Sequence, residues 1–204
     1  MKSYEGMFVL HNRELPEGEN ATPEQVATAL VEKAGGTVAH ALLWTNRKLA
    51  YPIAGNQTGT YVLVYFTGPS ETCAKLNREV SLSDRCLRHL SIVIEKLPTA
   101  EELPGPLAEP VARPARSRAE DGMDGLEGVP GMGDMGERLP GEEKEKKLHE
   151  SLDYKNVYVL RRLVTSQGKL FSRVRSNLHA RHQRELRQCV LRARVLALLP
   201  FVAR

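Results

Sequence analysis

Aromatic residues are scarce in this 204-residue chain, at 5% with a single tryptophan, and none lies between Phe66 and Tyr154. A stretch that long without aromatics predicts that the chain does not form one continuous core. No apolar run approaches the roughly 18–20 residues of a membrane-crossing helix, so no spanning segment is expected. The opening "MKSYEGMFVLHNRE" has a lysine but a broken apolar run and no small-residue cleavage site, which argues against a secretory signal. Cysteine is limited to Cys73, Cys86 and Cys189, with no CxxC spacing. An odd, scattered set reads as reduced thiols of a cytoplasmic protein rather than a disulfide framework. There is no P-loop and no GxSxG, and no GK[ST] follows the glycine-rich stretch, so catalysis has little support.

Charge is present in quantity and unevenly placed. Residues 1–98 hold ten basic and ten acidic side chains, residues 99–148 hold seven and twelve, and residues 149–204 hold twelve and three. Neutral, acidic and basic blocks imply three physically different segments, and the basic one predicts a polyanionic partner.

Residues 1–98 alternate two periods. "YEGMFVL" reads as a strand. "TPEQVATALVEKAGG" reads as a helix with Thr22 as N-cap, Pro23 in the first turn, Gln25 completing a capping box, and Gly35-Gly36 as the stop. "TVAHALLW" and "YVLVYF" follow as strands joined through "NRKLAYPIAGNQTG", then "PSETCAKLNREVSL" as a helix and "HLSIVIEKL" as a strand. The order βαββαβ predicts an α+β, ferredoxin-like domain with one antiparallel sheet and two helices on one face. Residues 99–148 hold eight glycines and six prolines and predict a disordered linker with a coil reach of roughly 35–42 Å.

Residues 149–204 predict a small all-α module. "DYKNVYVLRRLVTSQG" reads as a helix capped by Asp153 and ended by Gly168, "KLFSRVRSN" as an irregular basic turn, and Leu178 to Leu198 as a long helix. At roughly 100° per residue Leu186, Cys189, Val190, Ala193, Leu196 and Ala197 share one arc. Arg181, Arg184, Arg187, Arg192 and Arg194 fall opposite, with Glu185 the one acid among them. A solvated face usually mixes signs, and the arginine fork suits phosphate, so this face is expected to bind a polyanion.

The residues "LDYKNVYVLRRLVTSQGKL" and "ARHQRELRQCVLRARVLALLPF" resemble bacterial small-subunit ribosomal protein eighteen over nearly all of Leu152 to Phe201. "YEGMFVLH", "RKLAYPI" and "LSDRCLRHLSIVIEK" resemble small-subunit ribosomal protein six over Met1 to Lys96. The two families are partners on the platform of the small subunit. The resemblance therefore implies a tethered fusion whose modules pair with each other, meet neighbouring small-subunit proteins, and bind small-subunit ribosomal RNA in the cytoplasm, without catalysis. The RNA-binding residues it implies are Arg161, Arg162, Lys169, Arg173, Arg175, Arg181, His182, Gln183, Arg184, Arg187, Arg192 and Arg194; separately, Arg47 and Lys48 beside Tyr51 read either as a further RNA contact or as a solvated hairpin rim. The turn Ser172 to Asn177 departs from the family's Pro-Arg-Arg-Thr-Gly pattern. "GEEKEKKLHESL" replaces the basic, in some members cysteine-bearing, extension, so no zinc site carries over.

Competing readings are narrower. His179 and His182 stand three apart on a helix but lack a third ligand in sequence, so no metal or cofactor is expected. Asp84, Glu79 and His89 form no spacing that favours an acid–base set. Tyr61 and Tyr65 alternate on one sheet face, but no RNA-recognition signature accompanies them, and packing is the expectation. A translational regulator acting on its own messenger RNA would use the same basic module, and would stay off assembled subunits.

Overall fold

The computed structural model describes residues 1–11, 22–99, 101–105, 152–176 and 178–202. The expected disordered linker therefore lies, from residue 106 onward, outside the described residues.

Strand β1 (Lys2–His11), helix α1 (Pro23–Lys33), strands β2 (Thr37–Ile53) and β3 (Asn56–Gly68), helix α2 (Thr72–Leu82) and strand β4 (Cys86–Ile94) follow in the expected order. They form one antiparallel sheet in the order β2-β3-β1-β4, with β1 between β3 and β4. This is the ferredoxin-like arrangement. The Thr22 capping box forms as expected: its hydroxyl accepts from Gln25 N–H while the Gln25 amide oxygen accepts from Thr22 N–H. Both hairpin strands run well past their expected ends, because β2 and β3 continue into a tight turn at Ala54-Gly55. Both turn residues have positive φ, 47° and 79°, as a two-residue hairpin of this twist requires.

Alternation along the strands divides the sheet into two buried faces. Tyr4, Phe8 and Leu10 of β1 and Val62, Val64 and Phe66 of β3 pack against Ala27, Leu30 and Val31 of α1 and Leu76 and Val80 of α2. Met7, Val9, Tyr61, Leu63 and Tyr65 point the other way, into a core shared with Leu160, Leu186, Val190, Ala193 and Leu198 of the C-terminal part. Trp44 lies in this second core, edge-on to Tyr61 at 6.1 Å. Burial of each such aliphatic side chain stabilises by about 1.5–3 kcal/mol.

The C-terminal part holds α3 (Val157–Arg162), α4 (Arg173–Ser176) and α5 (Ala180–Val195). Helix α3 is much shorter than the sequence suggests, and its cap is Asn156, whose Oδ1 accepts from Val159 N–H. Asp153 instead begins a turn, accepting from Asn156 N–H at 3.1 Å. The side chains of Tyr154 and Lys155, which follow it, reach back to Glu5 of β1. Beyond Arg162 the β-branched Val164 bridges to Leu170, and Gly168 (φ 81°) turns that loop rather than stopping a helix. The basic turn is partly helical as α4, where Ser176 Oγ donates to Ser172 O at 3.0 Å.

Helix α5 ends at Val195 because Ala197 adopts φ 53°. Leu198 N–H then returns to Ala193 O and Ala197 N–H to Arg194 O, the paired bonds of a Schellman motif with alanine where glycine is usual. The sheet also bonds to carbonyls at this end: Tyr51 Oη donates to Arg194 O, Tyr61 Oη to Leu196 O, each at 2.7 Å, and Ala50 N–H to Ala197 O at 2.8 Å.

Candidate nucleic-acid interface

Three consecutive elements present the basic side chains. Arg161 and Arg162 close α3, where the helix dipole favours cations, and both are exposed. Lys169 is exposed on the loop, and Arg173 and Arg175 on α4. Arg181, Arg184 and Arg187 are exposed along α5, while Leu186, Cys189, Val190 and Ala193 of the same helix are buried. Among the described residues no carboxylate pairs with Arg184 or Arg187. Arg181 meets Glu185 at 3.4 Å and His182 Nδ1 meets the other Glu185 oxygen at 3.2 Å. Arg181 is largely exposed, so that bridge contributes about 0–1 kcal/mol and leaves it available to a stronger anion.

Other residues of the expected set are placed differently. Gln183 braces the module: its Nε2 donates to Phe171 O at 2.8 Å, and its Oε1 lies 3.0 Å from Ser176 Oγ. Arg194 turns inward, donating to Gly168 O and lying beside the Phe201 ring. Arg192 is half-buried. On β2, Lys48 is exposed and Arg47 half-buried. Burial lowers the pKa of Arg47, and the Arg161 guanidinium adds to the shift.

Two stacking pairs were not anticipated from sequence. Tyr158 is 72% exposed with the Arg162 guanidinium over its ring at 6.0 Å, and Arg175 stacks on Phe171 at 4.3 Å. The signal for the first was the i, i+4 spacing of Tyr158 and Arg162. An exposed aromatic on a cationic surface is a platform for an unpaired base. Tyr61 and Tyr65, the other candidates for stacking, are buried beneath the C-terminal part, and burial raises both phenols well above their ordinary pKa.

A buried polar cluster joins the sheet to this basic part. The Glu5 carboxylate, 8% exposed, accepts from Tyr65 Oη at 3.0 Å, from Tyr154 Oη, and from Lys155 Nζ at 2.7 Å. Its signal in sequence was a carboxylate inside the apolar run "YEGMFVL". Burial raises the Tyr154 phenol, and the adjacent Glu5 charge raises it further. Burial also pushes the Cys86 thiol up to about 12 and the Cys189 thiol upward, so neither is a thiolate nucleophile at neutral pH. Asp84, Glu79 and His89 form no hydrogen bond or ion pair with one another, and among the described residues no three ligand side chains cluster as a metal site would need.

Comparison with known proteins divides the chain in two. A family model described as "Ribosomal protein S6" matches residues 3–93, and one described as "Ribosomal protein S18" matches residues 148–199. "Small ribosomal subunit protein bS6" of Clostridium botulinum strain 657 is 37% identical over 95 residues, covering 47% of this chain and all of that protein. Its counterpart in Clostridium acetobutylicum is 38% identical over 96 residues, with the same coverage of each. A crystal structure of 30S ribosomal protein S6 from Thermotoga maritima aligns with a TM-score of 0.39 at 22% identity, over 46% of this chain and 87% of that one.

Proposed function

The chain belongs to the ribosomal protein S6 family, with a ribosomal protein S18 module fused behind it, and on that premise we propose that it is a structural constituent of the bacterial small subunit. In this reading residues 1–98 and 149–204 are two modules joined by residues 99–148. They dock on each other within one chain, and the docked pair binds small-subunit ribosomal RNA at the platform, in the cytoplasm. Neighbouring ribosomal proteins complete its surroundings. No catalytic step is part of the reading.

One observation carries it: exposed arginines on α3, α4 and α5 stand above a core that the basic module shares with the sheet. Docking would satisfy carbonyls at the end of α5 and leave Arg181, Arg184 and Arg187 outward. The sheet then serves as a rigid support, and phosphate contacts fix the register of the RNA without reading its sequence.

A salt titration of the full chain with a small-subunit RNA fragment tests this. The logarithm of the binding constant should fall with the logarithm of salt by about 0.7–0.9 per contacted phosphate. Arg184→Ala and Arg187→Ala should each make that slope shallower by about one unit. Leu186→Ala should cost about 2–5 kcal/mol of stability and leave the slope of the folded fraction unchanged. Arginine variants that keep both slope and affinity would move RNA binding off this face. Strong RNA binding by a chain that never co-sediments with small subunits would favour the regulator of its own messenger RNA.

A further inference from the structure

Between α3, the loop that follows it and the segment after α5 lies a cavity of about 200 Å³. The loop forms its floor: Thr165 N–H donates to Lys169 O at 2.7 Å and Gly168 N–H to Thr165 O at 2.9 Å. A Cβ on Gly168 would stand 2.6 Å from the Phe201 carbonyl oxygen, so only glycine lets this loop close against the C-terminal segment. Arg194 forms one wall, held by the Gly168 carbonyl, and its Nε is buried with no hydrogen-bond partner among the described residues. Arg161 stands at the mouth, exposed. Val164, Leu199 and Pro200 supply apolar surface, and no carboxylate lines the space.

Two guanidiniums line the space with no carboxylate to neutralise them, which favours a guest rich in acceptors. A phosphate group has the acceptors but makes no use of the aliphatic walls. A flat base uses both, with its faces on Val164, Leu199 and Pro200 and its edge on a guanidinium fork. Guanine presents N7 and O6 as adjacent acceptors, whereas adenine places an amino donor beside N7. We propose that this cavity takes one unstacked guanine base of the bound RNA, with Arg161 offering the fork and Arg194 the fixed positive wall. The source of the base rests on the RNA-binding reading above; the pocket itself does not.

The test uses the isotope-labelled full chain with GMP, AMP and ribose 5-phosphate, each at millimolar concentration and read by NMR. GMP should shift the amides of Val164, Thr165, Gly168 and Leu199 saturably and bind at least about fivefold tighter than AMP. Ribose 5-phosphate should not reproduce those shifts. Arg161→Lys, which keeps the charge at an exposed position, should weaken GMP about tenfold by losing the fork. Equal shifts from ribose 5-phosphate, equal affinity for AMP, or no saturable shift at these amides would each overturn the proposal. Such a failure beside an intact, salt-dependent RNA affinity would leave the ribosomal reading standing. Saturable GMP binding by a chain without that affinity would do the reverse.

Discussion

Replacing Glu5 with alanine removes the one acceptor that serves Lys155, Tyr154 and Tyr65 together. The Lys155 side chain is 15% exposed and the Glu5 side chain 10%, so the ammonium would be left largely out of water and without that partner. Removing one member of a buried ion pair costs about 3–5 kcal/mol, and an abandoned hydroxyl adds about 1 kcal/mol. The loss falls on docking, because Tyr154 and Lys155 belong to the C-terminal part while Glu5 and Tyr65 belong to the sheet. Trp44, the one tryptophan, reports on it: it is 3% exposed within the core that both parts share. Urea titration followed by Trp44 fluorescence should show Glu5→Ala exposing the indole at markedly lower urea than the wild type. A double-mutant cycle of Glu5→Gln with Lys155→Met isolates the pair and should return a coupling of about 1.5 kcal/mol or more. An unchanged Trp44 transition together with zero coupling would refute the assignment of docking energy to this cluster.

Tyr61→Phe should cost about 1–3 kcal/mol, because the buried Leu196 carbonyl loses its donor; chemical denaturation measures it. Ala54→Gly should raise the thermal midpoint, since relieving a left-handed alanine at an exposed turn stabilises by about 1 kcal/mol. Tyr61, Tyr65 and Tyr154 have folded-state pKa values above their ordinary value near 10, so the folded chain holds their protons where the unfolded chain loses them. That stability is fully present below about pH 10 and is lost as pH rises further, by up to about 1.4 kcal/mol per group per pH unit. The phenolate absorbance of these three should therefore rise with unfolding rather than before it.

Local grammar was legible wherever a residue's own neighbours decide its conformation. Thr22, Pro23 and Gln25 mark the start of α1 correctly because the capping box is closed within four residues. The apolar arc of α5 is buried as its 3.6-residue period requires. The reading failed where distant partners intervene. Asp153 is as good a cap by type as Asn156, but the reach of Tyr154 and Lys155 to Glu5 sets where α3 begins. Ala197 carries no glycine signal, and its left-handed turn is sustained by bonds to the sheet from the carbonyls around it. The unbroken apolar runs "MFVL" and "YVLVYF" held a clue to the second buried face of the sheet, since a half-solvated strand alternates. Arg194 and Gln183 share the charged or polar side of α5 on a helical wheel, yet both turn toward the loop and α4, which a wheel does not represent.

The central claim is that one continuous polypeptide supplies both modules to the small subunit. Intact-mass spectrometry of proteins from salt-washed small subunits tests it directly. A single species at or above the mass of the 204-residue chain, one copy per subunit, is the predicted result. Subunits that lack this chain, or that carry its two modules only as separate polypeptides, would contradict it.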